Sequence, residues 1–252
     1  MTRAYPLVSV LRALSAVTLA TVTAMVWATP TVGAPRPPSP HCESSAGVTF
    51  ASVRGAIEIT GTTGNDTIDC SSNTKSVFRI YGRGGSDTIY GGAKGDVIFA
   101  GPGRSVVHGG PGNDGLVADG GGGWFYGDAG DDAISLYPAG EGSSAEGGDG
   151  NDHLEGSLFK DLLFGNAGED TLNGNAGDDE IWGGDGIDHM AGGDGNDVLG
   201  DYSPEADDFN AGVGADLCED FDGYGTATDG TPGYLGPTQN DHLASCEEVR
   251  VG

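Results

Sequence analysis

The stretch GGDGNDVLG (Gly192–Gly200) contains the pattern that decides the fold. It combines four glycines and two aspartates with a single apolar pair, Val198-Leu199. Variants of these nine residues recur along much of the chain. So much glycine removes the side chains that build a core and costs backbone entropy on folding. The explanation therefore has to lie in what the repeated unit does.

The repeats form two uninterrupted blocks of six when they are laid in register. The blocks span residues 82–135 and 147–200, and single copies occupy residues 61–69 and 211–219. Position eight is apolar in every copy, and position six is Asp in all but two. A period of nine fits neither an amphipathic helix nor a plain hairpin meander. It predicts a strand of about three residues with one inward side chain, followed by a turn of about six.

The turns explain both abundant residue types. A reversal of about six residues needs positive φ angles at several positions, which Gly or Asn adopts at little cost. Calcium requires hard oxygen ligands, and a glycine-rich turn supplies Asp carboxylates and exposed carbonyl groups. One turn cannot supply the roughly six to eight oxygens that the ion takes, whereas two stacked turns can. Each repeat therefore encodes half of a calcium site.

The motif GGxGxDxUx, with U a large apolar residue, resembles the nonapeptide of the RTX proteins. The resemblance covers residues 61–219, more than half of the chain. It implies an all-β fold, a parallel β-roll or β-solenoid, with several Ca²⁺ ions as its cofactor. The implied metal ligands are the aspartates at position six: Asp66, Asp87, Asp96, Asp114, Asp132, Asp152, Asp161, Asp170, Asp179, Asp188, Asp197 and Asp216.

In this family each nonapeptide makes half a turn of the roll, so alternate repeats share a flank. In the second block one flank has Asp152, Asp170 and Asp188, and the other has Asp161, Asp179 and Asp197. In the first block one flank has Asp96, Asp114 and Asp132, and the other has Asp87, Ser105 and Gly123. In this first block we expect calcium to fill the flank of Asp96, Asp114 and Asp132 and largely to miss the flank of Asp87, Ser105 and Gly123.

Three departures from the pattern affect individual sites. Leu158-Phe159-Lys160 replaces the usual turn residues before Asp161, which puts the turn side of that site in doubt. Lys94 occupies a usual glycine position and weakens the turn of Asp96. Arg104 has two interpretations, a guanidinium that replaces the missing cation beside Ser105 or a solvated surface side chain.

The N-terminus is typical of an exported chain. Arg3 and Arg12 precede an uncharged, mainly apolar run at residues 13–28, and small residues follow. We interpret residues 1–34 as a secretory signal peptide and the mature protein as secreted. The run of 16 residues is short for a membrane span, although a retained anchor is the alternative.

The four cysteines flank the repeat region in two pairs. Cys42 and Cys70 are 28 residues apart, as are Cys218 and Cys246. Of the three possible connectivities we favour these two pairs, because each closes a modest loop in an oxidising compartment and staples one end cap. The predicted organisation is a signal peptide (1–34), linker and N-terminal cap (35–60), first repeat block (61–135), interruption (136–146), second repeat block (147–219) and C-terminal cap (220–252). The segment VFRIY (Val77–Tyr81) predicts a strand in one degenerate coil.

The charge distribution limits the possible partners. Between Ser105 and Val249 there are 32 acidic residues and one basic residue, Lys160. This excess excludes nucleic acid as a partner held by charge. It also pushes a compact state apart unless cations neutralise it. Halophilic solubility is the alternative, and the regular Asp spacing favours calcium ions.

The sequence carries no recognisable catalytic motif. It has neither HExxH nor GxSxG. His108, His153 and His189 occupy outward strand positions, and the pairs Asp131-Asp132 and Asp178-Asp179 belong to the turns. We therefore expect a non-enzymatic protein with a structural or interaction role and no membrane insertion of the mature chain. A calcium-stabilised enzyme and a carbohydrate-binding module using the aromatic cluster 124–126 are the alternatives, and a protein or glycan partner stays open.

Overall fold

The computed structural model describes residues 42–203, 207–220, 242–244 and 248–251. Within these ranges the chain forms 22 strands and no helix, which confirms the all-β prediction. From β3 onward, successive strands alternate between two eleven-stranded sheets. The first sheet contains β1 (Glu43–Ser44), β4 (Thr67–Asp69), β6 (Thr88–Tyr90), β8 (Arg104–Pro111), β10 (Gly122–Ala129), β12 (Ser144–Asp149), β14 (Leu162–Ala167), β16 (Glu180–Asp185), β18 (Val198–Asp201), β20 (Leu217–Asp220) and β22 (Glu248–Val251). The second contains β2 (Thr49–Val53), β3 (Ala56–Thr60), β5 (Phe78–Tyr81), β7 (Val97–Phe99), β9 (Gly115–Val117), β11 (Ala133–Ser135), β13 (His153–Glu155), β15 (Thr171–Ala176), β17 (His189–Asp194), β19 (Asp208–Val213) and β21 (His242–Ala244).

Strands of successive coils pair in parallel, so the fold is the predicted β-solenoid. Leu154 pairs with Ile134 on one side and with Leu172 on the other. From β4 to β20 the residue at position eight of each repeat, or its equivalent, points inward, and these residues form a continuous apolar ladder between the two sheets. Each ladder residue has a relative exposure of 2% or less: Ile68, Ile80, Ile89, Ile98, Val107, Leu116, Phe125, Ile134, Ala145, Leu154, Leu163, Leu172, Ile181, Met190, Leu199, Phe209 and Cys218. Burial of one such Leu or Ile contributes about 1.5–3 kcal/mol, so the ladder is the core that the glycine-rich turns lack.

The N-terminal end of the solenoid is closed by antiparallel strands. β1 pairs antiparallel with β4, and β2 forms an antiparallel hairpin with β3. The disulfide Cys42–Cys70 fixes β1 to the first coil, which confirms one of the two predicted bridges. Cys246 of the second predicted bridge, Cys218–Cys246, lies outside the described residues, as do the signal peptide 1–34 and most of segment 220–252.

Two segments outside the uninterrupted repeats also contribute half coils. In residues 136–146, Ala145 pairs with both Phe125 and Leu163 and is fully buried. Further along, Phe209 of β19 pairs with Met190 and occupies the inward position. The strand predicted at Val77–Tyr81 is present as β5. In the described ranges there is no helix with the length and apolarity needed to span a bilayer.

Candidate metal centre

The position-six residues form two hydrogen-bonded columns, one along each edge between the sheets. In each column the backbone amide of one residue donates to the side chain of the next, at 2.6–3.0 Å wherever both are Asp, except before Gly123, which has no side chain. We call them the first and second columns. The first column contains Asp66, Asp87, Ser105, Gly123, Ser143, Asp161, Asp179, Asp197 and Asp216. The second contains Phe78, Asp96, Asp114, Asp132, Asp152, Asp170, Asp188 and Asp207. The alternation of flanks expected from the repeat register is therefore confirmed.

Each aspartate in these columns uses its two carboxylate oxygens differently. Oδ1 accepts the amide of the preceding turn in every case but Asp66, whose Oδ1 accepts the Ser45 hydroxyl; for example, Asp152 N donates to Asp170 Oδ1 at 2.7 Å. Oδ2 is buried, and in nine of the aspartates it has no hydrogen-bond partner in the described part of the chain. These nine are Asp87, Asp114, Asp132, Asp152, Asp170, Asp179, Asp188, Asp197 and Asp216. Native proteins rarely leave a buried carboxylate oxygen unpaired, so each of the nine requires a cation or a proton.

The glycine at position one lets a second oxygen approach the same point. A Cβ atom on Gly165 would lie 2.3 Å from Asp170 Oδ2 and 2.6 Å from the carbonyl oxygen of Gly183, the position-one residue of the next turn in the column. Gly174 has the same arrangement, with 2.3 Å to Asp179 Oδ2 and 2.6 Å to Gly192 O. No side chain fits there. The cradle therefore brings a carboxylate oxygen and a carbonyl oxygen from two stacked turns together.

The electrostatics of the columns also demand positive charge. Burial raises the pKa of Asp170 to about 7, with a further contribution from the carboxylates of Asp188 and Asp152, against the lowering effect of the Asp152 amide. Burial likewise raises the pKa of Asp114 to about 8 and that of Asp179 to about 7. Each value lies well above the ordinary range of an aspartate because the desolvated carboxylate is costly in its charged form.

The donor set fits a hard cation that accepts backbone oxygens. No group of three or more His, Cys, Asp or Glu side chains converges within the residues that the structure describes. Side chains alone therefore do not complete a coordination shell, and carbonyl groups such as that of Gly183 are needed. Calcium takes such mixed carboxylate and carbonyl shells, whereas zinc prefers nitrogen and sulfur ligands.

Three turns in the same columns have a different structure, and we call them self-capped turns. In each of them the amide of position two donates to Oδ2 of the aspartate four residues later. The bonds are Thr62 N to Asp66 Oδ2 at 2.5 Å, Gly92 N to Asp96 Oδ2 at 2.6 Å, and Ser157 N to Asp161 Oδ2 at 2.6 Å. The carboxylate also withdraws from position one, since a Cβ there would lie 2.9–3.1 Å from Oδ2, against 2.2–2.5 Å at the position-one glycines of the open turns. A backbone dipole thus occupies the place of the cation.

The conformation of position two distinguishes the two kinds of turn. In all nine turns with an unpartnered Oδ2, which we call open turns, position two has a left-handed φ between 72° and 121°. This conformation directs the amide outward, and in the turn of Asp188 the amide of Gly184 donates to Asp201 Oδ1 at 2.7 Å. Neither Thr62 nor Ser157 has a positive φ. Their hydroxyl groups instead accept the amide of position four, at 3.1 Å in each case, which is a local Ser/Thr turn.

Gly92 reaches the self-capped conformation by another route. A Cβ on Gly92 would lie 2.9 Å from the ring of Phe78 and 3.0 Å from the carbonyl oxygen of Asn73. Ala93 N also donates to Asn73 O at 2.9 Å. Phe78 occupies position six in the preceding turn of this column, so its ring packs where a carboxylate stands elsewhere.

The first column has a neutral gap in its middle. Asp87 N donates to Ser105 Oγ at 3.1 Å, and Gly123 N donates to Ser143 Oγ at 3.3 Å. Serine hydroxyls therefore take over the capping role of Oδ1 without adding charge. Position one is Ala100 before Ser105 and Ala118 before Gly123. No carboxylate stands at position six in these two turns, although Ala211 also occupies position one in the turn of Asp216.

Arg104 does not lie in this gap. Its guanidinium lies over the Trp124 ring, 5.0 Å from the ring centroid, and 3.5 Å from Glu141 Oε2. The side chain is 46% exposed. Of the two interpretations of Arg104, the replacement of a cation is wrong, because the indole ring and the carboxylate hold the guanidinium at the outer surface.

Two members of the columns were missed in the sequence. Asp207 accepts the amide of Asp188 at 2.7 Å, and Ser143 donates its own amide to Asp161 Oδ1 at 2.7 Å. Burial raises the pKa of Asp207, and the neighbouring Asp201 adds to this effect. Asp207 stands two residues before the buried Phe209, as position six stands before position eight in every repeat. A single inserted residue after Gly200 hides this relation from a strict nine-residue search.

The other candidates for chemistry have structural partners. Asp131 lies at position five and accepts the amide of Asn151 at 3.1 Å, while Asp132 belongs to the second column. The His108 ring stacks between Tyr90 and Tyr126, with centroids 5.0 and 4.5 Å away, and its Nδ1 lies 3.3 Å from Asp128. His153 and His189 are exposed at position seven.

A comparison with protein families identifies the repeat. The model of the RTX calcium-binding nonapeptide repeat matches in four copies, at residues 79–94, 90–124, 146–181 and 164–199. No curated protein and no solved structure matches the chain. The matched residues include several open turns as well as the self-capped turns of Asp96 and Asp161.

Proposed function

Because the chain is a β-roll protein of the RTX calcium-binding repeat type, we propose that it is exported and that extracellular calcium drives its folding into the rigid roll. The aspartates of the two columns hold the ions between stacked turns. The observation that carries this proposal is the set of nine buried Asp Oδ2 atoms without a partner in the described residues. Bound calcium would supply the positive charge and the coordination that these oxygens lack.

The expected ligands divide according to the kind of turn. The open turns supply nine of the expected ligands, each with an Oδ2 that has no partner among the described residues. One of them, Asp87, precedes residue 104. The other eight follow it: Asp114, Asp132, Asp152, Asp170, Asp179, Asp188, Asp197 and Asp216. Asp66, Asp96 and Asp161 retain Oδ1 contacts but have Oδ2 occupied by an amide. We assign the strongest sites to neighbouring open turns in one column, such as those of Asp152, Asp170 and Asp188.

Calcium binding is linked to folding through the charge of the columns. Without the ion, folding must bury carboxylates that repel one another or must protonate them. With the ion, the same oxygens become ligands, so the equilibrium shifts toward the folded roll as calcium rises. Extracellular calcium modules commonly bind in the range of about 10⁻⁴ to 10⁻³ M. We expect cooperative binding near this range.

The folded roll has a structural or interaction role in this proposal. The export signal rests on the apolar run at residues 13–28 and its preceding arginines. The aromatic cluster at Trp124 does not favour sugar stacking, because Arg104 lies over the indole ring and Tyr126 stacks on His108. Each of these contacts occupies one ring face on which a carbohydrate would otherwise stack.

A calcium titration of residues 35–252, followed by far-ultraviolet circular dichroism and by calorimetry, tests the proposal. We expect a cooperative gain of β-structure with calcium, uptake of several ions, and no comparable transition with magnesium. A folded spectrum that is indifferent both to calcium and to a chelator would contradict the proposal.

A further inference from the structure

We infer that calcium dependence is unevenly distributed along the roll: residues 42–104 fold without calcium and act as a template, and residues from Ser105 onward fold on it only as calcium binds. This inference rests on the proposed function and adds a direction to it. Folding would then proceed in two stages, of which only the second requires calcium.

The first observation is the distribution of unsatisfied carboxylates. Eight of the nine unpartnered Oδ2 atoms belong to residues beyond 104, and only Asp87 belongs to residues 42–104. In the column of Asp87, the preceding Asp66 is self-capped and the following residue is Ser105. Asp96, on the other flank, is self-capped too. The first coils therefore bury three column carboxylates, Asp66, Asp87 and Asp96, of which only Asp87 has an Oδ2 without a partner among the described residues.

The second observation is the closure of the N-terminal end. The Cys42–Cys70 disulfide and the antiparallel pairs β1/β4 and β2/β3 connect residues 42–70 in ways that involve no metal. A crosslink across 28 residues removes chain entropy from the unfolded state. The buried Phe78 replaces a carboxylate at position six and adds apolar area in the same place.

The third observation is the charge of the two regions. Residues 42–104 contain six basic and six acidic residues. Between Ser105 and Val249 the corresponding numbers are one and 32. Self-repulsion therefore opposes folding of the second region at low calcium and hardly affects the first.

The topology joins the two regions in one direction. β6 and β7, in the last coil of the calcium-free region, pair in parallel with β8 and β9. A folded first region thus offers two strand edges in the correct register, and each added coil stacks a new turn on the previous one. Nucleation is costly and propagation on an existing coil is less so, as in other repeat proteins. Calcium would then extend the roll from the N-terminal end.

Hydrogen exchange with mass spectrometry on residues 35–252 tests this inference. In chelator we expect protection for peptides within residues 56–100 and none for peptides within 147–200, with both protected in excess calcium. Loss of protection throughout the chain in chelator, restored by calcium, would overturn the inference but leave calcium-driven folding intact. Protection that is the same with and without calcium would contradict the proposed function itself.

A designed change in the first region tests the role of the self-capped turn. Thr62→Asn with Thr63→Ala turns GTTGND into GNAGND, which has the position-two Asn of the open turns at Asp170 and Asp179. We expect residues 56–100 to lose protection in chelator and to regain it with calcium. Thr63→Ala alone keeps the Thr62 hydroxyl and is the matched control, with protection unchanged. A double variant that stays fully protected in chelator would show that self-capping is not what frees this region from calcium.

Discussion

Residues 42–104 and 147–200 use the same nine-residue register and the same two sheets, yet they neutralise their buried carboxylates in different ways. In the first region the amides of Thr62 and Gly92 occupy the second carboxylate oxygen. In the second region that oxygen is open in five of the six turns, and Ser157 caps the sixth. If the open turns bind calcium as proposed, a backbone N–H and a metal ion are alternative solutions to one burial problem. The conformation of a single residue, at position two, selects between them.

Acid should have the largest effect on the difference in calcium dependence between the two regions, because protons neutralise many carboxylates at once. Burial raises the pKa of Asp132 to about 7 and that of Asp188 to about 6, beside the values near 7 and 8 given above. A raised pKa in the folded state stabilises the calcium-free roll below the unfolded value near 4, and this stability is lost as pH rises through about 6 to 8. We expect residues 147–200 to gain protection in chelator at pH 5 and to lose it at pH 8. Protection that does not change between these pH values would count against the buried columns.

Removal of the N-terminal disulfide should have the next largest effect. The loop of 28 residues corresponds to about 3.5 kcal/mol of chain entropy in the unfolded state. In Cys42→Ser/Cys70→Ser we expect residues 42–104 to need calcium for full protection in hydrogen exchange. Calcium should restore much of the protection, because the following coils then hold the first ones by stacking. If the double variant behaves like the parent in chelator, the hairpin and the self-capped turns alone keep this region folded.

The two kinds of turn can be compared directly by the same substitution. Asp170→Asn keeps Oδ1 as an acceptor for the Asp152 amide but replaces the open Oδ2 with an NH₂ group. We expect the calcium midpoint to rise about tenfold, which is about 1.4 kcal/mol, because Asp170 contributes to sites with both its neighbours.

Asp161→Asn is the matched control, since its Oδ2 accepts the Ser157 amide. Two N–H donors would then face each other, so we expect a loss of about 1–3 kcal/mol in the free energy of unfolding at every calcium concentration at which the roll is folded. Chemical denaturation at fixed calcium concentrations measures both. A stability loss with the same dependence on calcium concentration in the two variants would refute the distinction between open and self-capped turns.

Much of this architecture could be predicted from the sequence, since period and residue type determine it. The inward ladder, the alternation of flanks and the neutral positions Ser105 and Gly123 all follow from counting nine residues. Asp207 was missed because one inserted residue shifts the register, and Ser143 was missed because its half coil contains no Asp. The nine-residue count missed column members only where the half coil keeps its geometry but an insertion changes the spacing between repeats.

The self-capped turns were harder to foresee, although their residues give a usable signal. Thr62 and Ser157 carry hydroxyls that compete for the amide of position four and keep position two out of the left-handed conformation. Ser or Thr at position two therefore predicts a turn without an open carboxylate. Gly92 has no such signal, because its conformation depends on the Phe78 ring from an earlier coil. That contact is tertiary and is not visible in a single nonapeptide.

The smallest expected effect concerns Arg104, next to the neutral gap in the first column. Its contacts with Trp124 and Glu141 lie at the surface, where a cation–π contact and an exposed ion pair each contribute less than about 1 kcal/mol. We therefore expect Arg104→Ala to leave the calcium midpoint unchanged and to lower the free energy of unfolding only slightly. A large loss of stability in chelator, absent in calcium, would mean that the guanidinium acts as a built-in cation for this flank. The guanidinium would then be a third way of neutralising carboxylates of this column, beside the backbone amide and the metal ion.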